Sequence, residues 1–150
     1  MKNTENVSMQ LTEIKEVECT IKALPVHSDN IVFGKDLVLG LGVKFKTELE
    51  NEILRIRFLV KYVMNSTNEN LVKLEAELVF KIKNMNSVVK ADNETNKINF
   101  QDSFLKALIV ESIGTTRGIL FSKTKGTDLE KFPLPLLNAQ DIINQMKKGK

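Results

Sequence analysis

His27, Cys19 and the acids near them are the residues whose side chains could do chemistry. The chemistry would be metal binding, proton transfer or nucleophilic attack. His27 is the single histidine, in a predicted loop beside Pro25, with Asp29 two residues on. A metal site needs a second histidine or a cysteine close by, and none is near. Asp29 is as well placed to cap a turn as to relay a proton. Cys19 is the single cysteine, so no intrachain disulfide forms, which suits a reducing compartment. It falls mid-strand on the apolar side, where a cysteine acts as a small hydrophobe. A thiolate nucleophile would need an activating base, and the sequence indicates none. The remaining carboxylates are scattered singly among lysines, with no pair forced together for acid–base work. Gly40-Leu-Gly42 lies inside a predicted strand, not between a strand and a helix, so it is no phosphate loop. It marks a bend or a close backbone approach. The expectation is a protein that is not an enzyme and uses no cofactor and no metal.

Charge and hydropathy narrow the partners. Lysine and arginine number 22 against 19 acids, a formal net charge of +3. That balance is too small and too scattered to argue for nucleic acid. The one dense basic run, Lys147-Lys148-Gly149-Lys150, reads as a frayed, solvated tail. Tyr62 and the eight phenylalanines fall mostly on the apolar side of the pattern, so they form no exposed stacking platform. No segment is apolar and long enough to be inserted in a membrane. The polar start, Met1 to Asn6, lacks the apolar stretch of a secretory signal, so the expected location is cytoplasmic. A chain of 150 residues fits a single domain, 1–150, with disorder expected at 1–8 and 147–150.

The elements that position these residues are set by periodicity. Leu37, Leu39, Leu41, Val43, Phe45 and Leu49 fall on alternate positions, as do Leu54 to Met64 and Val72 to Ile82. Side chains alternate across a strand, so each set lines one face. Lys44, Lys46, Arg55, Arg57, Lys61, Lys73, Glu75, Glu77 and Lys81 occupy the other face, as in a sheet wet on one side. Short polar connections at 48–52 and 65–70 make the three strands an antiparallel meander. Val17, Cys19, Ile21 and Ala23 mark a further strand over 9–23, with a bulge expected near Lys15. Asn84 to Asn99 reads as a mobile loop.

The period then becomes helical. Asn99 is a candidate N-cap, followed by Phe104, Leu105, Leu108, Ile109, Ile113 and Leu120 at helical spacing, with Gly126 as the stop. A shorter helix starts at Asn138, with Leu137 and Ile142 placed as a hydrophobic staple. The fold class is α+β: a four-stranded antiparallel sheet, a long helix, an apolar Pro-containing loop and a short C-terminal helix.

Two features ask for a partner. Ala107, Gly114 and Gly118 recur along one face of the long helix, and Ser122 continues it. Glycine inside a helix costs about 1 kcal/mol relative to alanine, so close approach of another element is expected. That element is the domain's own sheet or, the favoured reading, another subunit. The second feature is the stretch 128–137, where Leu129, Phe132, Leu134, Leu136 and Leu137 crowd around Pro133 and Pro135. It is either a lid on the core or the wall of a groove. The same question applies to Ile31, Val32 and Phe33.

The order of elements resembles the SecB export-chaperone family over roughly Leu11 to Met146. The linker Ala23-Leu-Pro25 to Val32-Phe33-Gly-Lys-Asp36 and the run Lys125 to Asn138 carry the likeness. The resemblance implies a homotetramer joined through the long helices, at Ala107, Gly114, Gly118 and Ser122. It implies a holdase that binds unfolded or pre-export polypeptides in apolar grooves, through Phe33, Leu129, Phe132, Leu134, Leu136 and Leu137. Members that dock on the export motor are strongly acidic, whereas this chain has a pI of about 8.9 and a mixed-charge sheet face. SecB-like chaperones that protect antitoxins are the other branch, so the partners are unfolded clients with either an export motor or an antitoxin. A small-molecule site beneath the Pro-rich stretch is the enzyme-like alternative.

Overall fold

Alternating apolar residues give a strand one side to bury, and the computed structural model, which describes residues 6–92 and 97–148, joins four such strands in one sheet. They are β1 (Ser8–Ile21), β2 (Leu37–Glu48), β3 (Ile53–Met64) and β4 (Glu69–Lys83). The sheet runs β1-β4-β3-β2, antiparallel throughout, with β1 and β2 at its edges. On β3 the inner row of Leu54, Ile56, Phe58, Val60, Tyr62 and Met64 is buried, and Val72 to Ile82 repeat this on β4. The expected meander and sheet are therefore present.

β1 carries two bulges rather than one near Lys15. The register slips between Leu11 and Glu13 and again between Glu16 and Glu18, while Lys15 sits in register opposite Glu77. A bulge adds one residue and so flips the face to which each later side chain points. Val17, expected on the apolar side with Cys19 and Ile21, is consequently exposed.

Helix α1 (Asp102–Thr124) crosses the inner face and buries Phe104, Leu105, Leu108, Ile109, Ile113 and Leu120. Its cap is Gln101, not Asn99, because Asn99 belongs to a strand. The stretch read as a mobile loop folds into a short 3-10 turn (Met85–Ser87) and a hairpin of β5 (Val89–Asp92) and β6 (Lys97–Phe100). Met85, Val88 and Val89 pack into the core, which holds this segment down. Residues 93–96 of it lie outside the described residues. Gly126, at φ +81, stops α1 as expected, since only glycine takes that conformation freely.

Helix α2 (Ala139–Lys148) starts where Asn138 Oδ1 accepts from the amides of Gln140 at 2.8 Å and Asp141 at 3.3 Å. Lys147 reaches Asp102 at 3.2 Å and ties the end of α2 to the start of α1. Ser8 opens β1, and Lys147 and Lys148 close α2. Residues 1–5, 149 and 150 lie outside the described residues.

The outer face is a lattice of charge. Glu77, nearly buried, lies 3.4 Å from Arg57 and 3.7 Å from Arg55. Glu77→Gln is expected to cost about 1–2 kcal/mol, because both guanidiniums lose their shared counter-charge. Urea denaturation at low and high salt checks this: the deficit should shrink as salt screens the two cations, which keep only Glu48 beside Arg55 and Glu75 beside Arg57.

Candidate functional site

The inner row of β2 is the part of the apolar face left partly open. Leu39, Leu41, Val43 and Phe45 stand opposite Tyr62, Val60, Phe58 and Ile56 of β3. The β3 residues are fully buried, whereas those of β2 are only half-covered and Leu41 is 37% exposed. The cause is position: β2 is an edge strand, and α1 lies over the middle of the sheet against β3 and β4. No strand among the described residues pairs with the outer edge of β2.

One end of this strip widens into a cavity of about 700 Å³. Val43 and Phe45 form its floor, Ile98 and Phe100 of β6 one wall, Ile143 and Met146 of α2 the other. The Lys147–Asp102 pair stands at its rim. The rings of Phe45 and Phe100 are 4.9 Å apart.

The other end is built by two loops. A tight turn, closed by Asp36 accepting from the amide of Val32 at 2.8 Å, puts Gly34 at φ +95. It directs Phe33 onto Tyr62, ring centroids 5.1 Å apart, and alongside Phe132 at 6.2 Å. The second loop comes after α1. It begins with a 3-10 turn (Asp128–Lys131) and then runs extended to Asn138. Pro133 and Pro135 have no amide hydrogen to give to a ladder, so the loop's carbonyls need other donors. Two side chains supply them. The Tyr62 hydroxyl donates to the Phe132 carbonyl at 2.9 Å. Arg117 Nε donates to the Leu134 carbonyl at 3.0 Å and Nη2 to that of Pro135 at 2.9 Å. Burial pushes the Tyr62 phenol well above its ordinary range, against a smaller opposing pull from Arg117.

The six residues expected to meet a client separate by depth. Leu129 and Leu134 are core, at 1% and 2% exposure, and anchor the loop from beneath. These two therefore lie beneath the loop, and the strict two-residue alternation of a strand does not hold along it, since Leu134 is buried and Leu136, two residues on, is exposed. Phe33, Phe132 and Leu137 are half-buried at the strip, and Leu136 is 94% exposed. Ile31 is core while Val32 is exposed.

Ala107, Gly114, Gly118 and Ser122 lie on the outward face of α1. A Cβ added at Gly114 or Gly118 would meet nothing within 4 Å, so the domain's own sheet is not what these glycines approach. Val110 and Phe121, both more than half exposed, flank the same face.

Sequence reasoning passed over three members of the site. The hydroxyl of Tyr62 and the guanidinium of Arg117 hold the loop, and Phe100 lines the cavity. Arg117 left one signal. It has no acid three or four residues away on its helix, so its charge had to find a partner elsewhere.

His27 and Cys19 do not enter the site. His27 is exposed, and its Nδ1 accepts from the Asp29 amide at 3.2 Å, so His27 itself caps the turn. Cys19 is half-buried on the inner face of β1, and burial, then the charge of Glu16, raises its thiol pKa. Among the described residues no group of His, Cys, Asp or Glu could hold a metal ion, and no helix is long and apolar enough to cross a membrane.

No protein-family model and no curated protein matches the sequence. Among solved structures, the chain is similar to a SecB-like chaperone of Mycobacterium tuberculosis, solved in complex with a ChAD peptide from an antitoxin. The TM-score is 0.51 over 86% of this chain and 89% of that one, at 11% sequence identity. The fold is SecB-like.

Proposed function

We propose that the protein is a molecular chaperone of the holdase kind, which binds unfolded or pre-export polypeptides and keeps them from aggregating. The half-open apolar strip on edge strand β2 carries this reading. Extended apolar clients bind through many weak contacts, and such a strip offers them in a row. The similarity of fold to a SecB-like chaperone supports it. In this reading Phe33, Phe132, Leu136 and Leu137 touch the client, and the buried Leu129 and Leu134 support them. The protein works without catalysis or cofactor, in the cytoplasm. It assembles as a homotetramer through the Ala107, Gly114, Gly118 and Ser122 face, which raises avidity for long clients.

A second reading is a chaperone dedicated to one partner, such as an antitoxin. The antitoxin peptide held by the similar structure favours it. General suppression of aggregation would separate the two, because a dedicated chaperone protects one sequence only.

The test is light scattering of a slow-folding client, after sizing the protein by chromatography with mass detection. The parent is expected to suppress aggregation near a stoichiometric oligomer. Leu136→Asp should leave stability within about 0.5 kcal/mol, because the side chain is exposed. It should nonetheless weaken client binding roughly tenfold. A monomer that protects no client would overturn the proposal.

A further inference from the structure

The outer face of the sheet carries a second cleft, of about 570 Å³, and its lining is charged. Lys15, Lys44, Lys46, Arg55 and Arg57 line it with two carboxylates, Glu48 and Glu77, while Lys15 also pairs with Glu13 at 3.6 Å and Arg57 with Glu75 at 3.9 Å from outside the lining. The strand register makes this arrangement costly. Lys44 stands directly opposite Arg57, and Lys46 directly opposite Arg55. Like charges so paired repel one another. The acids are already engaged, Glu77 with both arginines and Glu48 with Arg55 at 3.8 Å. Lys44 and Lys46 are exposed, and neither has an ion-pair partner among the described residues. A sheet that keeps two unneutralised lysines beside two arginines is poised for an anion from outside.

Phe45 tells where that anion belongs. It lines the charged cleft and the apolar cavity alike, so the two meet across β2. Because β2 is an edge, a chain leaving the cavity at Phe45 has only to turn over that edge to reach Lys44 and Lys46. The lysines are about 7 Å apart along the strand, the spacing of alternate side chains in an extended peptide. Nucleic acid fits less well. Two carboxylates lie within the cleft, and its one ring, Phe45, is already packed on Phe100.

We infer that the protein selects polypeptide segments in which apolar residues adjoin aspartate or glutamate, the apolar part in the strip and the carboxylates on Lys44 and Lys46. The inference rests on the chaperone reading and adds a rule of client choice to it. Three peptides with one apolar core and flanks of Asp-Glu, Ser-Ser or Lys-Lys would be titrated against the full chain by fluorescence anisotropy. Affinity is expected to fall in that order, with roughly tenfold between the extremes at low salt. The spread should collapse in about 1 M sodium chloride. Lys44→Glu with Lys46→Glu, at exposed positions, should reverse the order, and Lys44→Ser with Lys46→Ser should flatten it. Equal binding of all three flanks overturns the inference and leaves the chaperone reading standing. So does an order that the variants do not change, or displacement of the acidic peptide by a single-stranded oligonucleotide at equal charge. Failure of every peptide to bind overturns both.

Discussion

Arg117→Met is expected to free the wall of the apolar strip and to lower stability by about 2–3 kcal/mol. One guanidinium holds the carbonyls of Leu134 and Pro135, at 3.0 and 2.9 Å. Hydrogen bonds to a charged donor are among the stronger ones, and two share a rigid fork here. Methionine keeps the stem's apolar contacts and removes both donors, leaving two partly buried carbonyls without their partner. Lysine would reach one carbonyl as a point charge, so Arg117→Lys should fall between parent and methionine. The checks are the denaturant midpoint and hydrogen exchange at the amides of Phe132, Leu134, Leu136 and Leu137. Faster exchange there, with little change on β3 and β4, would show a latch on the loop. An unchanged midpoint and unchanged exchange would mean that burial of Leu129 and Leu134 alone holds the loop.

The same latch is expected to fail in alkali. Tyr62 is fully buried, and its hydroxyl donates to the Phe132 carbonyl at 2.9 Å. Its folded pKa lies above the ordinary value of 10.0, mainly because burial disfavours the phenolate. The folded state therefore holds the proton longer than the unfolded state does. Stability from this group is complete below about pH 10 and falls as pH rises toward the folded value, by about 1.4 kcal/mol per unit. By about pH 12 the loss should approach about 3 kcal/mol. Tyr62→Phe removes the titration and should cost about 1 kcal/mol at neutral pH for the missing hydrogen bond. Its stability curve should cross that of the parent above about pH 10. Parallel curves from about pH 9 to about pH 12 would assign the alkaline loss to lysines instead.

The site thus has a soft apolar surface on a polar frame. Tyr62 and Arg117 hold the backbone that carries Phe132 and Leu136, the residues proposed to meet a client. Variants of the surface should change binding with little change in stability, and variants of the frame should change both.

The sequence by itself determined the periodic parts of this protein. Alternation over Leu54 to Met64 and Val72 to Ile82 specifies a buried face, because a one-residue slip would expose every member of the row. The helical spacing from Phe104 to Leu120 and the cap at Asn138 are likewise local signals, legible without a partner.

Only the tertiary structure decided what happened where the local signal was weak. Composition gives the stretch 84–99 to a loop, yet Met85, Val88 and Val89 find a ready apolar surface and a hairpin forms. The parity of β1 depends on two bulges, whose positions are set by pairing with β4, whereas the chain's own pattern announces only one, near Lys15. In the stretch 128–137 every leucine looks alike. Which ones become floor and which become surface is set by two donors, Tyr62 and Arg117, that lie 70 and 17 residues from the carbonyls of Phe132 and Leu134. A contact between residues so far apart in sequence has no period to announce it.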